Sequence, residues 1–221
     1  MPPSSLRAQR SNPGQFSAAL DCFAALAMTI NENPNPAQAE LVEAPSAGQT
    51  RKTMIHSVTP ADYRTDASLR GAMLALNNAH AVELSFADEA RMAMLVEEAF
   101  LAARIGTVDA LLLAFAPGAA YDSANYRRFE RRYASFVYVD RVVVAPEARG
   151  RGLARQLYAR LFEAARAAGH ERVVCEVNSD PPNPASDAFH AALGFTPIGE
   201  ALLENGKTVT YLSLELSSSR T

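Results

Sequence analysis

From residue 54 onward, apolar positions alternate between helical and strand-like spacing. Residues 54–59 predict a short first strand, after which Pro60 and Asp62 open a helical region with Leu69, Met73, Leu76 and Ala79 at helix spacing. The segment "SFADEARMAMLVEEAFLAA" predicts a second helix, with Ser85 as a cap, acids in the first turn and Met92, Leu95, Val96 and Ala99 on one side. Two apolar runs, "ALLLAFAPG" and "SFVYVDRVVV", predict neighbouring strands on either side of the polar "YDSANYRRFERRYA". Residues 152–168 place Leu153, Leu157, Leu161 and Ala164 on one helical stripe, which Gly169 is placed to end. "RVVCEVN" then reads as a strand and "NPASDAFHAALGF" as a shorter helix. "GFTPIGE" and "GKTVTYLSLEL" read as a closing hairpin around Asn205 and Gly206. The predicted order is strand, two helices, three strands, helix, strand, helix and two strands, an α/β chain without internal repeats.

Composition narrows the class. A chain of 221 residues, 48% hydrophobic and 20% charged, suits a soluble globular protein of one domain with an extension, or two small domains. A formal net charge of −3 gives no overall basic field for nucleic acid. Two cysteines, Cys22 and Cys175, provide no disulfide framework, and Cys175 sits in an apolar run as a packed thiol. The expected location is cytoplasmic.

The first fifty residues differ from the rest. Asp21 interrupts the apolar stretch "FSAALDCFAALAMTI", which argues against a secretory signal, and the stretch is too short and too interrupted to span a bilayer. The Asn/Pro/Ala-rich tract after it has linker composition without a clear processing site, so an organelle leader fits weakly. "SLRAQRSNP" with "DCFAALAMT" resembles peptides translated from interspersed bacterial repeat DNA, and Met54 reads as a natural start. The expected organisation is an extension over 1–53 and one folded domain over 54–221.

The chemistry concentrates in "VVVAPEARGRGLARQLYARLF", where a β-branched run passes through glycines and arginines into an amphipathic helix. A helix N-terminus directs unpaired backbone N–H groups and a favourable dipole at one point, which makes it an anion site. Gly150 and Gly152 let a ligand approach the backbone, and Arg149 and Arg151 add forked donors suited to phosphate. A nucleoside-triphosphate loop is excluded, because no Gly-Lys pair followed by Ser or Thr occurs. The dinucleotide fingerprint also fails, since its third small residue falls on Arg155.

The pattern R-x-x-G-x-A, carried by Arg149, Gly152 and Ala154, resembles the coenzyme A pyrophosphate motif of the GNAT superfamily of N-acetyltransferases. A second signature, N-x-x-A-x-x-[LF]-Y-x-x-x-G-F, is matched at Asn183, Phe189, Gly194 and Phe195, while Ser186 replaces alanine and His190 replaces tyrosine. The run "NSDPPNPASDAFHAALGF", together with "LNNAHAVELS", "YDSANY" and "YVDR", resembles one bacterial branch of that superfamily, which implies no particular acceptor. The resemblance implies a GNAT fold, a mixed central sheet whose middle strands, here 136–144 and 172–178, splay apart between flanking helices. It implies acetyl-CoA as cosubstrate, held by Val142, Val143, Val144, Arg149, Gly150, Arg151, Gly152, Leu153, Ala154, Asn178, Asn183 and Phe189.

Acetyl transfer to an amine needs polarisation of a thioester carbonyl, a neutral nucleophile and protonation of a leaving thiolate. The resemblance assigns the carbonyl to backbone N–H groups near Val142–Val144. For the base, strand alternation puts Tyr138 and Asp140 on one face, with Glu176 as competitor and an arginine ion pair as the plain alternative for Asp140. For the acid, His190 occupies the family's tyrosine position, with Asp187 three residues earlier to orient its ring. His56, His80 and His170 have no comparable context, and no metal-ligand spacing links the four histidines, so no metal is expected. The acceptor is expected among Asn77, Glu83, Tyr121, Asp122, Asn125 and Tyr126, while "RRFERR" reads as a solvated helix face. The expected partners are acetyl-CoA and a small-molecule amine, with neither nucleic acid nor membrane among them and homodimer assembly left open. A non-catalytic acyl-CoA sensor and a protein- or RNA-directed acetyltransferase are the rival readings.

Overall fold

A computed structural model describes residues 54–216; the expectations for 1–53 lie outside the described residues. Strand β1 (Ile55–Ser57) runs into Thr59, whose hydroxyl accepts from the Asp62 amide while the Asp62 carboxylate accepts from the Thr59 amide. This reciprocal cap, with Pro60 in the first turn, starts α1 (Pro60–Thr65). Asp66 caps α2 (Ala67–Ala79), and the short α3 (Ala81–Leu84) follows. Helix α4 (Glu89–Glu98) is capped by Asp88, which accepts from the Arg91 amide at 2.7 Å. Ser85, expected to cap that helix, instead ends α3 in the left-handed region at φ 69°.

The expected second helix also stops early, because residues from Leu101 onward form β2 (Leu101–Ile105). Four of its five residues are buried, since β2 lies inside the sheet, and a strand covered on both faces loses the alternation that would distinguish it from a buried helix. After β3 (Ala110–Phe115), Ser123 caps α5 (Ala124–Arg132), which buries Asn125, Tyr126 and Phe129 and turns Arg127, Arg131 and Arg132 outward. Arg128 lies over the Tyr211 ring at 4.4 Å. Strand β4 (Val137–Val144), a 3-10 turn (Pro146–Ala148) and α6 (Leu153–Ala167) carry the anticipated junction. Strand β5 (Arg172–Asp180), helix α7 (Pro184–Leu193) and the hairpin β6 (Thr196–Leu202) and β7 (Thr208–Glu215) complete the order.

The seven strands form one mixed sheet in the order β1-β2-β3-β4-β5-β7-β6. Every residue of β3 and β4 is buried, which requires helices on both faces; α2, α4 and α5 pack against the β3–β4 region and α6 against β2 to β5. Cys175 lies in this core as a free thiol that burial pushes well above its ordinary pKa.

Two irregularities of the sheet place the site. Strands β4 and β5 pair in parallel only at Val137–Val173 and Tyr138–Val174; β4 then continues with β3 and β5 with β7, so the central strands part. At the point of parting β4 bulges: Ala114 pairs with Val139 and Leu113 with Arg141, which leaves Asp140 as the extra residue.

Candidate active site

The bulge alters the facing expected of β4. Strict alternation would send Asp140 and Arg141 to opposite faces, yet they are 1% and 2% exposed and paired with each other. Arg141 Nε donates to Asp140 Oδ2 at 2.6 Å, the Tyr121 hydroxyl donates to Asp140 Oδ1 at 2.5 Å, and Arg141 Nη1 donates to Asn77 Oδ1 at 2.5 Å. Asn77 Nδ2 in turn donates to the Ser85 carbonyl at 3.1 Å, and Asn78 holds Ala87 through both its amide and its carbonyl. The loop that follows α3 is thereby fastened to the bulge.

Across the parting strands, the Tyr138 hydroxyl donates to Glu176 Oε1 at 2.9 Å, and Asn125 Nδ2 donates to the same oxygen at 2.9 Å. The Tyr211 hydroxyl donates to Asn125 Oδ1 at 2.8 Å. Asn77, Tyr121, Asn125, Tyr138, Asp140 and Glu176, all named from the sequence, thus form a buried polar floor where the strands divide. Tyr126 and Asp122 do not join it. The Tyr126 hydroxyl donates to the Ala116 carbonyl, and burial lifts its pKa to about 12. Asp122 is exposed and pairs with Arg91 at 2.9 Å.

At the end of β4, Gly150 and Gly152 adopt left-handed φ of 74° and 70°, and a Cβ on either would meet nothing within 4 Å. Helix α6 starts at Leu153 without a side-chain cap, so its first amides face that open space from a backbone only glycine adopts without strain. Leu153 and Ala154 bury their side chains in the first turn, and Arg149 Nε is buried without a hydrogen-bond partner. Arg151 is half exposed and 3.6 Å from Asp109. An open, uncapped helix start beside an unpartnered guanidinium nitrogen fits a pyrophosphate.

Next to this cradle, between the α2–α3 junction, the end of β5, the start of α7 and the β6–β7 hairpin, lies a cavity of about 400 Å³ lined by His80, Glu83, Arg149, Asn178, Asn183 and Lys207, among others. Asn183 caps α7 through the Ser186 amide. Asn178 is 6% exposed, and its Oδ1 has no hydrogen-bond partner. Lys207 Nζ donates to the Val82 carbonyl at 2.9 Å, tying the hairpin to α3.

His190 departs from its expected role. Its ring is fully buried, Nδ1 lies 2.8 Å from the Ser186 carbonyl, and Nε2 lies 2.8 Å from the Tyr158 hydroxyl. Nδ1 therefore carries the proton and Nε2 accepts from Tyr158. Burial drives the histidine pKa down to about 4 and the Tyr158 phenol well above its ordinary value. Asp187, expected to orient the ring, stands exposed, and the ring nitrogens are held by Ser186 and Tyr158 instead. A neutral imidazole packed among Phe189, Tyr158 and Phe195 keeps its one proton on the Ser186 carbonyl, and His190 does not line the cavity.

The arginine ion pair weighed for Asp140 is present, with Arg141 as the partner, whereas Tyr158 is not singled out by the sequence and His80 is set aside there for want of context. The signal for Arg141 is two consecutive charges inside an apolar strand, which only a bulge can accommodate on one side. No local pattern marks His80, whose setting comes from four separate elements.

The profile of the Acetyltransferase (GNAT) family matches residues 78–195. No curated protein matches the chain. Solved structures share the fold: the ribosomal-protein-S18-alanine N-acetyltransferase from Escherichia coli aligns at TM-score 0.53 and 19% identity over 75% of this chain and 94% of its own. The putative acetyltransferase yncA from Salmonella typhimurium, solved with its cofactor acetyl-CoA, aligns at TM-score 0.55 and 20% identity over 76% and 96%. Ard1 from Thermoplasma volcanium aligns at TM-score 0.56 and 12% identity over 74% and 97%.

Proposed function

This chain belongs to the acetyltransferase (GNAT) family, and from that premise we propose that it transfers the acetyl group of acetyl-CoA to the amine of a small molecule by direct attack. The observation that carries this reading is the parting of β4 and β5 ahead of an uncapped helix start, with a cavity of about 400 Å³ walled by Arg149 before α6 and Asn178 near the end of β5. The amides at the start of α6 and Arg149 would hold the pyrophosphate, with Gly150 and Gly152 keeping the approach clear. Asn178 and Asn183, at the cavity wall, would meet the arm that follows. When bound, acetyl-CoA supplies an activated thioester.

Beyond Tyr138, the backbone N–H groups of β4 that point away from β3 have no β5 ladder to join, and near Val142–Val144 they are suited to polarise a carbonyl. Asp140 has both oxygens engaged and braces the bulge. Glu176, with Tyr138 and Asn125 on one oxygen, gives the acceptor side of the cleft its polar floor. The Lys207–Val82 bond spans two cavity walls and favours a small acceptor over a broad protein surface.

Purified enzyme incubated with isotopically labelled acetyl-CoA and a panel of amines, followed by mass spectrometry, tests the proposal. Amine-dependent thiol release with a labelled amide is expected. Coenzyme A binding without turnover would identify a sensor instead, and label in protein with none in small molecules would identify a protein-directed enzyme.

A further inference from the structure

His80 ends α2, opens α3 and lines the cavity with Glu83, Arg149, Asn178 and Lys207. Its Nε2 is buried without a hydrogen-bond partner. Buried polar atoms in a native fold are nearly all paired, so an orphan beside a cavity indicates a partner that arrives from outside. Asn178 Oδ1 and Arg149 Nε are in the same condition, so an acceptor, a donor and a ring nitrogen all lie unpaired in residues that wall one cavity.

The other side of the ring is set by Glu83, whose Oε2 stands 4.0 Å from His80 Nδ1. That distance is too long for a hydrogen bond, but the carboxylate's charge favours the tautomer with its proton on Nδ1, which leaves the lone pair on Nε2. A base oriented by a third group and set in the wall of a cavity is the arrangement that proton abstraction starts from.

We propose that His80 is the general base of the acetyl transfer, an inference that rests on the amine-acetylation reading above. Nε2 takes the proton that the acceptor nitrogen gives up as its lone pair forms the new C–N bond. The C–S bond breaks, its electron pair leaves on sulfur, and sulfur takes a proton from solvent to become the thiol. His80 later releases its proton to solvent, so an amine and a thioester give an amide and a thiol.

The charged groups around the ring are Glu83 on α3, Arg149 ahead of α6 and Lys207 on the hairpin. Burial first, and the nearby Arg149 charge after it, lower the pKa of His80 below its ordinary 6.5, against the opposing pull of Glu83. The ring is consequently neutral at cellular pH and able to accept.

The test compares wild-type enzyme with His80→Gln, His80→Ala and Glu83→Gln, using an amine from the panel that the wild type acetylates. His80→Gln is expected to lower kcat about 100-fold or more while leaving coenzyme A affinity by calorimetry within about twofold. The wild-type profile of kcat/KM should show an acid limb below the ordinary histidine pKa, which His80→Gln removes and Glu83→Gln moves to lower pH. Added imidazole should restore part of the rate of His80→Ala, a response that a misfolded protein or a purely structural role would not give. If the wild type acetylates an amine and His80→Gln keeps both rate and limb, the assignment of His80 is overturned and the transfer reading stands. If the wild type acetylates no amine, the transfer reading fails and the role of His80 fails with it.

Discussion

His190 links the packing of α7 to the pH dependence of stability. Its pKa of about 4 in the fold, against an ordinary 6.5, means that the unfolded chain binds a proton more readily than the folded one between those values. The preference for the folded state is fully present above pH 6.5 and is lost as pH falls from 6.5 toward 4, a change of about 3 kcal/mol at most. Denaturant melts at a series of pH values should show this slope, and His190→Gln should flatten it. His190→Phe should cost about 1–3 kcal/mol, because the Tyr158 hydroxyl loses its buried acceptor. In the acetylation assay, neither variant should remove a pH limb near neutrality. Loss of such a limb in His190→Gln would return the histidine to the proton transfer.

Among the elements, the loop between β4 and α6 carries the sharpest expectation. Gly152→Val places a β-branched residue at φ 70°, which costs about 1–2 kcal/mol of stability. It also fills the space in front of the α6 amides. Coenzyme A affinity, measured by calorimetry, should fall about 100-fold or more, whereas Arg149→Ala, which spares those amides, should lose about tenfold. Normal binding by the valine variant would show that the anion site lies elsewhere. This junction is legible in the sequence because its turn residues and helical stripe are contiguous. Strand β2 is less so, since burial on both faces gives "LAARI" no period of two, and the helix before it absorbs its first residues. The bulge is invisible to any scheme of strict alternation, yet it brings Asp140 and Arg141 to one side. The cavity is the least legible part: His80, Arg149, Asn178 and Lys207 are far apart in sequence, and only the parting of β4 from β5 and the Lys207 bond to Val82 assemble them.

For the whole molecule, the sheet begins at β1, which is paired through Ile55, His56 and Ser57 with β2. A chain beginning at Met54 is therefore expected to keep the thermal midpoint and coenzyme A affinity of the full chain. A fall of about 5 °C or more on truncation would show that residues 1–53 contribute to the fold. The divided sheet has one further consequence. Sheet margins with unused N–H and C=O groups usually lie on the outside, where they invite fibrillar association. Here two such margins face each other inside the protein, behind helices, and their pairing capacity is withheld from other polypeptides. A guest that claims it would have to be slender enough to thread between them, so the geometry that parts the sheet at its centre would also sort guests by thickness.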